Sequence, residues 1–117
     1  MNDRTFIERV AETCKREVYF SPYDDNFAVQ RTPNPYDIQL RYSGYGPGER
    51  VAEVYIPKTD KWLLLFWNEK PQFQDHAGCC YHLQENTDID GPEGIIDHKF
   101  SKTLAGCLNA LERLLNE

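Results

Sequence analysis

No stretch of this sequence is long and apolar enough to cross a membrane. The longest such run, Trp62–Trp67, is six residues, against the roughly 20 that a span needs. The first residues, Met1-Asn2-Asp3-Arg4-Thr5, are followed by Glu8 and Arg9, so no apolar signal region is present and a cytoplasmic protein is expected. Neither a Gly-x-Ser-x-Gly elbow nor a His-Glu-x-x-His helix occurs, and the only methionine is Met1. Basic residues are nearly missing from one long segment, since Lys99 is the single cation of residues 71–100.

The other residue classes are present in the proportions of a globular domain. At 117 residues the chain suits one domain, residues 1–117, because single domains commonly run about 100–150 residues. With 40% hydrophobic and 13% aromatic residues it can bury a core, which excludes wholesale disorder. The formal net charge is −6, which argues against a protein whose main task is to grip nucleic-acid phosphates. That charge is not evenly spread. Residues 1–20 and 101–117 are each neutral and residues 21–70 carry −1, whereas residues 71–100 carry −5.

Periodicity divides the chain into helical ends and a strand-rich middle. Phe6, Ile7, Val10 and Cys14 share one face of a helix expected over Phe6–Arg16, with Thr5 and Glu8 spaced as a capping box. Ser101 is the expected cap of a second helix reaching Leu115, with Leu104, Leu108, Leu111 and Leu115 on its apolar side. Gly106 lowers this helix's propensity by roughly 1 kcal/mol and allows close packing on the sheet. Between them, Val18–Phe20 and Phe27–Arg31 read as short strands joined by turn formers. Tyr36, Ile38, Leu40 and Tyr42 alternate with polar residues, and Val51–Ile56 is the expected hairpin partner of that strand. Residues 79–85 form a candidate strand, and residues 94–100 either another or an extended lead-in. The expected fold is α+β: a mostly antiparallel sheet of five or six strands, with an N-terminal and a C-terminal helix on one face.

Trp62–Trp67 is apolar on both sides, as in a central strand covered twice. Its second face is either covered by termini or loops or used for self-association as a homodimer or for a partner.

Three places invite a chemical reading. His76, Cys79, Cys80 and His82 are ligand types for zinc, but all four crowd into seven residues with no second pair elsewhere. If residues 79–83 are extended, Cys80 and His82 share a face and form a thiol–base pair, with Asp75 or Asp97 as orienting group. Residues 86–97 resemble an EF-hand calcium loop. That resemblance implies Asn86, Asp88 and Asp90 as side-chain ligands, the Pro92 carbonyl, and Asp97 as the closing acid. The loop departs from that pattern in its Asn at the first position, its closing Asp, and Glu93 where an apolar residue is usual; a polar surface loop is expected, with no metal or other cofactor. Gly44-Tyr45-Gly46-Pro47-Gly48 lacks the Lys-Ser/Thr and the helix of a phosphate loop, and reads as a hairpin tip displaying Tyr45.

The acidic segment carries the functional expectation. A negative patch steers association with a basic protein surface, such as the nucleic-acid site of a nuclease. In size and charge the chain is similar to toxin-immunity proteins and phage-encoded inhibitors. The expected function is thus a small acidic protein-binding module of inhibitor or immunity type. Its contact residues are Glu85, Asp88, Asp90, Glu93, Asp97 and Tyr45. The alternative is a small metal-binding or thiol-dependent enzyme domain at His76, Cys79, Cys80 and His82, or at the 86–97 loop.

Overall fold

The computed structural model describes residues 2–15, 18–21, 24–30, 38–44, 48–69, 78–86 and 94–116. Helix α1 (Asp3–Thr13) begins earlier than the capping-box spacing predicts. Asn2 is the cap, its Oδ1 accepting from the Thr5 N–H at 2.8 Å, and Thr5 lies inside the first turn. Asn caps as well as Thr does, and the earlier start lets Asp3 reach Arg50 of the sheet. The helix ends at Cys14, after which Lys15 turns left-handed at φ 56°. The Arg16 end of the predicted helix lies outside the described residues.

Strands β1 (Val18–Ser21) and β2 (Asp24–Gln30) form a separate antiparallel pair with an irregularity between Phe20 and Ser21. The main sheet holds five antiparallel strands in sequence order: β3 (Gln39–Gly44), β4 (Glu49–Ile56), β5 (Lys61–Asn68), β6 (Tyr81–Asn86) and β7 (Ile95–Ser101). Each strand pairs with its neighbour in the chain, so every connection in the sheet is local. Residues 94–100 thus resolve to a strand rather than a lead-in. No described helix is long and apolar enough to cross a membrane.

Strand registry sorts the side chains onto two faces. Val54, Leu63 and Glu85 stand in one cross-strand row, and Ala52, Leu65 and Leu83 in the next, all on the side covered by α1 and α2. Phe6, Ile7 and Val10 of α1 and Leu104, Cys107 and Leu111 of α2 (Leu104–Leu115) close this core. Both helices therefore pack on one face, and the fold is α+β as expected. Helix α2 is capped by Thr103, whose Oγ1 accepts from the Gly106 N–H at 3.3 Å. Ser101, the predicted cap, is instead the last residue of β7, and its Oγ accepts from the Thr103 N–H at 3.1 Å.

The other face carries Val51, Phe66, His82 and Phe100 in one row, and Tyr55, Trp62, Asn86 and Ile95 in another. Val51, Asn68 and His82 on this face are buried, whereas Tyr55, Trp62, Leu64 and Phe66 are only half-buried. The second face is thus sealed near Val51 and accessible near Trp62.

Candidate functional site

A one-residue irregularity organises the acidic segment. Leu83 stands opposite Lys99 and Gln84 opposite Asp97, so His98 is the extra residue of a β-bulge in β7. The extra residue shifts the alternation by one, so His98 falls on the helix side with Lys99, while Asp97 shares the opposite face with Phe100 and His82.

On the face away from the helices, Asp97 Oδ1 lies 2.8 Å from His82 Nε2. The imidazole stacks on Phe100, ring centroids 4.0 Å apart and nearly parallel at 6°, and on Phe66 at 5.7 Å. Cross-strand aromatic rows of this kind contribute packing energy, and the buried imidazole needs the polar partner that Asp97 supplies. Asp97 is therefore the orienting acid that the sequence offers for His82.

On the helix side, Glu85 pairs in register with Leu63 and is only 6% exposed. A buried carboxylate must find partners. Glu85 has His98 Nε2 at 3.1 Å from Oε1 and Lys61 Nζ at 3.9 Å from Oε2. Of the six residues expected to meet a partner, the structure thus separates two onto opposite faces, one buried and one half-exposed. Asp88, Asp90, Glu93 and Tyr45 lie outside the described residues, as does His76.

The thiol–base geometry does not form. Cys80 precedes β6, packs against the helix-side core, and accepts at its carbonyl from the Asn68 N–H at 2.8 Å. His82 is on the far face, because strand alternation begins only at Tyr81. All four cysteines are free thiols. Burial lifts the Cys107 thiol to about 11, which disfavours the thiolate that a nucleophile needs. Among the described residues no group of three or more His, Cys, Asp or Glu side chains is placed to hold a metal ion. The ends of the calcium-like loop, Asn86 and Asp97, belong to two paired strands, and Asp97 is engaged with His82.

The accessible part of the second face has its own character. Tyr55 and Trp62 stack with centroids 4.4 Å apart, and the Tyr55 hydroxyl donates to Asp60 Oδ1 at 2.7 Å. Ile95, 42% exposed, extends this row toward β7. Because Trp62–Trp67 is apolar on both sides, the outward face of Trp62 and Leu64 follows only from the register, as do His98 and Lys61 as partners of Glu85.

No family model, curated protein or solved structure matches this chain. What it does must be argued from its own residues.

Proposed function

We propose that the chain is a non-enzymatic protein-binding module that occludes a basic, nucleic-acid-binding surface of a partner protein. The observation that carries this reading is the half-exposed patch of Tyr55, Trp62 and Leu64, with exposed Ile95 in the row of Tyr55 and Trp62 and Asp97 in the row of Leu64. An apolar centre with a charged border is the usual anatomy of a protein interface. Asp97, with its side chain 54% exposed, supplies acid at that border, and Asp88, Asp90 and Glu93 add three more charges nearby in sequence. Such a surface would attract a basic partner over roughly a Debye length and then bury aromatic side chains against it. Tyr45 is proposed as a further contact. Glu85, held beneath α2, would act by supporting the strand rather than by touching the partner.

The test is affinity capture of the tagged chain from its own host at low and high salt, followed by a nucleic-acid-binding assay on any basic protein retained. Salt-sensitive capture, loss of the partner's nucleic-acid binding, and at least a ten-fold weakening by Trp62→Ala are expected. Capture indifferent to the charge reversals Asp88→Lys and Asp90→Lys would overturn it. The competing occupant of the same row is a second copy of the chain, and sedimentation showing a strict monomer removes that reading.

A further inference from the structure

The two helices cover the sheet unevenly. Helix α1 packs at the end of the core marked by Tyr42 and Trp67, where Phe6 lies 6.2 and 5.4 Å from those rings. Helix α2 buries Leu104, Cys107, Leu108 and Leu111, yet Leu114 and Leu115 in its last turn are only partly covered. Beneath that turn lies a cavity of about 370 Å³, with Ile38, Ile56, Leu63, Leu114 and Leu115 as its apolar lining. This volume falls in the range of small-molecule sites, which combine an apolar lining with a few convergent polar groups.

The polar groups here are Lys58, Thr59, Lys61 and Glu85. Glu85 is the only acid among the described residues of the lining, and its charge already faces His98 and Lys61. The Lys61–Glu85 separation of 3.9 Å is too long for a hydrogen bond, so the Lys61 ammonium retains donors for a further acceptor. Lys58 is exposed at the rim, and Arg113 lines an adjoining smaller cavity with His98 and Leu114. Among the described residues, the cavity thus carries two lysines against one buried carboxylate, which Lys61 and His98 already face, with Arg113 in the adjoining cavity. The terminal carbonyls of α2 would favour a cation, but those of Glu112 and Arg113 accept from the Asn116 N–H.

We propose that this cavity binds a small anionic amphiphile: a carboxylate with a short alkyl tail, its head on Lys58 and Lys61 and its tail against Leu63, Leu114 and Leu115. The proposal is independent of the protein-binding reading, which uses the opposite face of the sheet. A cationic amphiphile would have to displace Lys61 from Glu85 and lie beside Lys58, so the charge pattern selects against it.

Titration of the full chain with octanoate, octanol and octylamine, followed by methyl NMR, tests this directly. Saturable octanoate binding is expected to shift the Leu63, Leu114 and Leu115 methyls and to be at least about ten-fold tighter than octanol or octylamine. Hexanoate is expected to bind about fifteen-fold more weakly than octanoate, since each buried methylene contributes about four-fold. The double substitution Lys58→Gln/Lys61→Gln should weaken octanoate about ten-fold and leave octanol unchanged. Leu115→Trp should abolish binding of every ligand by filling the cavity. Absence of saturable octanoate binding, an amine that binds as well as the acid, or shifts confined to other residues would overturn the proposal. Because both lysines are partly or fully exposed, their variant tests it even if Leu115→Trp fails to fold.

Discussion

Glycine in the middle of a helix is normally a weakness, and replacing it by alanine normally stabilises by about 1 kcal/mol. At Gly106 the opposite is expected. A Cβ built there would lie 2.3 Å from Ser101 Oγ, 3.0 Å from Ser101 Cβ and 3.5 Å from Thr103 Oγ1. Rotating the serine relieves only the first contact and breaks the bond its Oγ accepts from the Thr103 N–H, worth about 0.5–1.5 kcal/mol. The remaining clash must push α2 away from the end of β7, and overpacking of this kind costs about 1–3 kcal/mol. Set against the propensity gain, Gly106→Ala should destabilise by about 1–2 kcal/mol, or roughly 4 °C in Tm per kcal/mol for a chain of this length. Removing Ser101 reverses the sign. In a Ser101→Gly background the nearest remaining atom is Thr103 Oγ1 at 3.5 Å, an ordinary contact distance, so Gly106→Ala should then stabilise by about 1 kcal/mol. Urea unfolding of the four proteins, compared at equal m-values, gives the coupling energy. If Gly106→Ala has the same sign in both backgrounds, close approach to Ser101 is not the reason for the glycine.

Two further predictions concern groups held inside the fold. Arg50 donates from Nε to Asp3 Oδ1 at 2.8 Å and from Nη2 to Glu69 Oε1 at 3.3 Å, and its guanidinium lies 5.7 Å from the Trp67 ring centroid. Arg50→Met keeps the aliphatic stem but leaves Asp3, one-fifth exposed, without its cation. A loss of about 1–2 kcal/mol in chemical denaturation is expected, and a change below about 0.3 kcal/mol would mean that Arg50 acts by packing alone. Cys107 gives a pH dependence. Burial raises its thiol from 9.0 to about 11, so on alkalinisation the unfolded chain loses this proton first. The contribution is fully present below pH 9 and falls by about 2–3 kcal/mol toward pH 11. Burial raises Tyr81 in the same direction, so Cys107→Ala should flatten only part of the alkaline slope in unfolding free energy. An unchanged slope in that variant would refute the assignment.

The helices at the two ends were readable from apolar spacing, because a stripe at intervals of three and four residues needs only its own segment to be recognised. Their first residues were not. Asn2 and Thr103 cap where Thr5 and Ser101 are equally good cap types, and the choice follows from contacts outside each helix. Asp3 meets Arg50 of β4, and Ser101 completes its pairing with Tyr81 before the chain turns. The candidate site was less legible still. Glu85 counts as one more surface acid until β6 is registered against β5, whereupon it stands beside Leu63 under α2. His98 carries no local mark of a bulge, yet that bulge lets it partner Glu85 while Asp97 partners His82.

By itself the sequence determined the number and kind of its helices, the antiparallel α+β class, and the concentration of negative charge in residues 71–100. Those properties are local, set by periodicity, turn chemistry and counting. The tertiary structure alone decided which face each charge serves, how Glu85 came to be buried, and where α2 leaves the core unsealed. A strand's side chains change faces with a single-residue shift in pairing, so a carboxylate's surroundings depend on a neighbouring strand's register, which its own segment does not encode.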